Sequence, residues 1–109
     1  MSMTGVYRCA ALGATLEIKT ATNNNGQGSG TFTMGGATWD VGIRYHFLND
    51  GGPQTVLQMW ASHGSANSYV TASAYTSNTN ASEGIQFAGG SCISTGIAGA
   101  TGFTGLFKK

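Results

Sequence analysis

Charged side chains are scarce in this chain: its 109 residues include five Lys or Arg and four Asp or Glu, for a formal net charge of +1. So weak a field neither gathers nor steers nucleic acid, an anionic membrane surface or an acidic substrate, and no such partner is expected. Long apolar runs are lacking as well. No stretch approaches the roughly 18 to 20 residues that a spanning helix needs, so no membrane insertion is expected. The opening Met1-Ser2-Met3-Thr4 has neither a basic n-region nor an apolar h-region. That leaves a cytoplasmic protein or a secreted one whose leader has been removed. Cysteine is limited to Cys9 and Cys92 with no CxxC, and His46 and His63 stand far apart, so neither a metal site nor another cofactor is expected. The lone proline, Pro53, falls in a turn-forming cluster and interrupts no candidate strand.

What remains is 40% hydrophobic, with 18 glycines and abundant Ser, Thr and Asn. That is too apolar for a disordered chain, and the length suits one domain spanning residues 1–109. The clearest periodicity runs from Trp39 to Leu48, where Trp39, Val41, Ile43, Tyr45 and Phe47 alternate with Asp40, Gly42, Arg44 and His46. Alternation of this kind marks a half-buried strand. Shorter runs of the same type at 5–9, 15–20, 30–34, 56–61, 69–75, 84–87 and 102–107 bring the count to about eight strands. Turn-forming clusters separate them, among them Asn23-Asn24-Asn25-Gly26-Gln27-Gly28, Gly35-Gly36, His63-Gly64-Ser65 and Ser77-Asn78-Thr79-Asn80. Gly26 to Gly30 reads as a flexible hairpin turn. No segment has helical periodicity with caps. The expected fold is therefore all-β, an antiparallel up-and-down β-barrel, with a β-sandwich as the alternative. Closure or homo-oligomerisation would hide strand edges that carry little charge to discourage aggregation.

The two cysteines leave two readings open. A Cys9–Cys92 bridge would close a long loop and contribute on the order of 4 to 5 kcal/mol. In a reducing compartment the same residues would be two small buried hydrophobes.

Several short segments resemble the avidin and streptavidin family. Gly5-Val6-Tyr7 followed by Leu12-Gly13-Ala14-Thr15-Leu16 is similar to its Gly-Thr-Trp and Leu-Gly-Ser-Thr-Phe opening. Gly30-Thr31-Phe32 is similar to its Thr-Gly-Thr-Tyr step, Gly42-Ile43-Arg44-Tyr45 to its Gly-Arg-Tyr step, and Ser94-Thr95-Gly96-Ile97 with Gly102-Phe103-Thr104 to its ending. The resemblance implies an eight-stranded up-and-down barrel, with Tyr45 at the family's ureido-binding tyrosine. It does not imply tight biotin binding. Cys9 or Ala10, Ala14, and Ala100 or Thr101 stand where the family places its other polar contacts, and Tyr75 and Phe87 where it has tryptophans.

The candidate ligand-binding residues are Trp39, Tyr45, Trp60, Tyr69, Tyr75 and Phe87. An indole or phenol face stacks on sugar C–H surfaces or apolar rings while its polar tip makes one hydrogen bond. Trp39 continues an apolar strand face, whereas Trp60 precedes a loop. Tyr69, Thr71, Ser73 and Tyr75 share one face of a strand, opposite Val70, Ala72 and Ala74. Asp40, Arg44 and His46 share another face, suited to surface pairing. Gathering Ser62 or Ser65, His63 and Asp50 into a triad finds no support, because no Gly-x-Ser-x-Gly elbow is present. No catalytic residue is expected. The leading expectation is a non-catalytic, lectin-like protein that binds a neutral glycan through Trp, Tyr and Asn/Ser/Thr-rich loops, as a homo-oligomer. One alternative is an avidin-like binder of a small molecule, its closed pocket built from Trp39, Tyr45, Trp60, Tyr75 and Phe87. Another is a structural, self-assembling β protein.

Overall fold

The computed structural model describes residues 3–22, 26–47, 55–64, 68–77, 81, 83–93 and 96–109. Eight strands follow one another: β1 (Gly5–Cys9), β2 (Ala14–Thr22), β3 (Gln27–Met34), β4 (Ala37–Phe47), β5 (Thr55–Gly64), β6 (Ser68–Thr76), β7 (Ile85–Ile93) and β8 (Gly96–Phe107). All pairings are antiparallel between chain neighbours, so the sheet order is the chain order. Arg8 and Lys108 then exchange backbone hydrogen bonds at 2.7 and 2.9 Å, which brings the last strand back to the first and nearly closes the sheet into a barrel. No helix occurs among the described residues.

Alternation dictates which side chains face inward. Tyr7, Leu16, Phe32, Val41, Leu57, Val70, Phe87 and Phe107 are among the buried set, while their strand neighbours face out. Aromatic rings fill part of the interior. Phe32 lies 5.8 Å from Trp39 and 5.9 Å from both Phe103 and Phe107, and Phe87 meets Phe107 edge-on at 5.2 Å. The Gly35-Gly36 turn joins Met34 to its partner Ala37, and both glycines have positive φ, 59° and 82°. That left-handed pair is the geometry a two-residue hairpin requires.

Three sequence expectations change at this level. Gln27 to Gly30 lie in β3 instead of a hairpin turn, paired with Val41 to Arg44 on one side and with β2 on the other. His63 and Gly64 extend β5 past the expected end, accommodated by an irregularity at Asp40/Val41. The Cys9–Cys92 bridge is not formed: Cys9 is a buried free thiol. Its sulfur sits 2.8 Å from where a Cβ on Gly105 would lie. Ser91, beside Cys92, pairs instead with Thr101, four residues along β8 from Gly105 and so roughly 13 Å away. That exceeds bridging reach. The expected turns at 49–53 and 78–80 lie outside the described residues, as do Asn23, Asn24, Asn25 and Ser65.

Candidate functional site: a groove on the outer face

The six aromatic candidates separate by strand alternation into two groups. Trp39, Tyr45 and Phe87 face the barrel interior and are 3%, 5% and 2% exposed, whereas Trp60, Tyr69 and Tyr75 face outward and are 40%, 50% and 43% exposed. A single closed pocket containing Trp60 and Tyr75 together with the inner three is therefore not formed. The inner group is itself spread out, because Trp39 and Tyr45 stand six residues apart on β4, about 20 Å along the strand. Trp39 donates its indole N–H to the Ser68 carbonyl at 2.9 Å and packs on Phe32. Tyr45 is buried enough that its phenol pKa is raised above the usual value. Both behave as core residues.

Of the outer group, Trp60 lines a groove that the register builds. Trp60 pairs with Thr71 and Gln58 with Ser73 across β5 and β6, and Thr71 pairs with Gly90 and Ser73 with Ala88 across β6 and β7. Residues paired across antiparallel strands point to the same side of the sheet. These six positions, with the backbones of Met59, Ala72 and Gly89, line an open groove of about 480 Å³. That is within the size range of small-ligand sites. Its floor is low because Thr71, Ser73, Ala88 and Gly90 are small, and its tall wall is the Trp60 indole.

Why the indole can lie over the sheet is answered on β4. Trp60 pairs with Gly42 there, and a Cβ at Gly42 would come within 2.5 Å of Cζ2 of the indole ring. Only a glycine leaves the ring its place. The ring is thus supported on the β4 side and presents its remaining surface to the groove and solvent.

Chemically the groove is lined by the Trp60 indole, the Gln58 amide and the Thr71 and Ser73 hydroxyls. All are uncharged donors or acceptors. Tyr69 and Tyr75 continue the outward face of β6 on either side of Thr71 and Ser73, as the alternation predicts. The three strands that line the groove, β5, β6 and β7, hold no Asp, Glu, Lys or Arg, but exposed Arg44 on β4 pairs with Gln58 and borders the groove on that side.

Trp60, Tyr69 and Tyr75 stand on strands where the alternation puts them, and the hydrogen-bonding residues beside Trp60 also come from strands, not from the Asn/Ser/Thr-rich loops expected. Sequence reasoning missed Gln58, Ala88 and Gly90. The first is legible only once the β5/β6 register is known, and the other two lie beyond the expected end of their strand. Asp40, Arg44 and His46 are exposed on β4 as expected. Of the triad candidates, Ser62 and His63 are exposed on β5, with the Ser62 hydroxyl donating to the Asp40 carbonyl at 3.0 Å. Asp50 lies outside the described residues. Among the described residues no three His, Cys, Asp or Glu side chains gather as a metal site, and no helix is long and apolar enough to cross a membrane. Compared with known proteins, the chain matches no family model, no curated protein and no solved structure.

Proposed function

We propose that the protein is a non-catalytic carbohydrate-binding protein whose site is the outer groove at Trp60. The observation that carries this reading is the pairing of an exposed, glycine-supported indole with neutral hydrogen-bonding side chains over a low floor. A sugar ring has an apolar C–H face and a rim of hydroxyls. The indole meets the first, and Gln58, Thr71 and Ser73 meet the second. The lining strands β5, β6 and β7 carry no ion, which suits a ligand without charge, Arg44 standing only at the β4 edge beside Gln58. Self-association belongs to the same proposal, because several grooves on one particle multiply a weak single-site affinity.

An avidin-like small-molecule site retains only Tyr45, Trp39 and Phe87 on the inner face, which is less than that reading asks for. A thermal-shift screen against neutral sugars and biotin separates the two. A bound ligand raises the melting temperature in proportion to ln(1 + [L]/Kd). The proposal expects a rise with at least one neutral sugar, lost in Trp60→Ala. A rise with biotin alone, retained in Trp60→Ala, would overturn it.

A further inference from the structure

Tyr69 and Tyr75 bracket the floor of the groove. They stand six residues apart on β6, about 20 Å along the strand, with Thr71 and Ser73 between them and Trp60 beside Thr71. Both rings are roughly half exposed, unlike the other described tyrosine side chains, Tyr7 and Tyr45, which are buried. A site for one terminal sugar needs one stacking ring and a closed end. This face instead has a tall ring at its side level with Thr71, one further ring toward each end and an open, low floor, with no charged residue on any of the three strands that line it. The floor also continues sideways through Gly90 to its partner Gly102, so nothing bulky blocks it on the β8 side.

We infer that the groove takes a linear, uncharged oligosaccharide laid along β6, several rings long, with Trp60 flanking an inner ring from the β5 side and Tyr69 and Tyr75 under the outer ones. This rests on the carbohydrate reading above and deepens it by naming the class of sugar. Stacking surfaces separated along β6, Tyr69 and Tyr75, gain affinity from successive rings of the same chain, because the later contacts are intramolecular. The central hydroxyls and the Gln58 amide set orientation. An anionic chain of equal length meets a single cation, Arg44 beside Gln58 at the β4 edge, and none along β6.

The test is a calorimetric titration with neutral gluco-, manno-, xylo- and N-acetylglucosamine series from monosaccharide to hexasaccharide, with oligogalacturonate as the anionic control. For a series that binds, the expected result is an affinity that rises at least tenfold between the disaccharide and the tetra- or pentasaccharide and then levels off. The double variant Tyr69→Ala/Tyr75→Ala should lose the gain in affinity with length. Circular dichroism checks that it folds. Equal affinity for short and long members would overturn the extended site while leaving the carbohydrate reading intact. Tighter binding of oligogalacturonate than of every neutral series would also overturn it. No binding of any neutral series would remove the carbohydrate reading itself and this inference with it.

Discussion

No side chain fits at Gly42 while Trp60 keeps its position: a Cβ there would approach Cζ2 to 2.5 Å, Cε2 to 2.7 Å and Cη2 to 3.1 Å. The contact is with the rim of a half-exposed ring, which can swing away at little cost to the fold. Gly42→Ala should therefore leave the melting temperature within a few degrees of the natural protein while weakening sugar affinity about tenfold, a change of ~1.4 kcal/mol. Fluorescence titration of the purified variant checks this. Unchanged affinity would mean that the ring position does not matter.

The two tryptophans should respond oppositely to truncation. Trp39 is packed on Phe32 and hydrogen-bonded to the Ser68 carbonyl, so Trp39→Ala should cost about 3 to 5 kcal/mol of stability. Trp60→Ala removes an outward-facing ring and should cost within about 1 kcal/mol while abolishing ligand binding. Urea unfolding of both variants gives the comparison.

The seam of the barrel depends on its last residues. Deleting Lys108 and Lys109 removes both backbone hydrogen bonds to Arg8 and the Lys109 ammonium that lies 5.4 Å from the Tyr7 ring centroid. At about 1 kcal/mol for each lost bond and somewhat less for the cation–π contact, the truncated chain should be about 2 kcal/mol less stable. It should also aggregate more readily, because two strand edges are uncovered. Light scattering during thermal unfolding reads both effects.

High pH should loosen the same region. Tyr7 is fully buried and donates its hydroxyl to the Met3 carbonyl at 2.6 Å, and burial pushes its pKa from 10.0 up to about 12. Between those values the unfolded chain releases this proton and the folded one holds it. Stability is then intact below about pH 10 and falls as pH rises toward 12, by about 2 to 3 kcal/mol in all. Tyr7→Phe should flatten that part of the pH profile.

Because Cys9 is free and buried, a reductant should leave the melting temperature unchanged, and a thiol reagent should label Cys9 only after denaturation. A melting temperature lowered by reductant would indicate a stabilising bridge.

Much of the fold was legible from the alternation of residues, and β1 matches its expected range, Gly5–Cys9. The reading failed where alternation is silent. In Ala88-Gly89-Gly90-Ser91 there are too few side chains to show a period, so the expected strand stops at Phe87, although β7 continues to Ile93. At Gln27-Gly28-Ser29-Gly30, turn-forming residues occupy a strand because its neighbours on both sides hold it. The site was partly legible for the same reason. Tyr69, Thr71, Ser73 and Tyr75 declare a common face by spacing alone. That Trp60 and Gln58 join them, and that Trp39 does not, depends on cross-strand register and on which face turns inward, and local pattern does not carry the register.

The most direct test of the account is the indole N–H region of a heteronuclear NMR spectrum, since the chain has two tryptophans, one inside the barrel and one on the groove. Titration with a neutral oligosaccharide should move the Trp60 signal and leave the Trp39 signal, held on the Ser68 carbonyl, where it was. Movement of the Trp39 signal with Trp60 unaffected would place the ligand inside the barrel and contradict the groove.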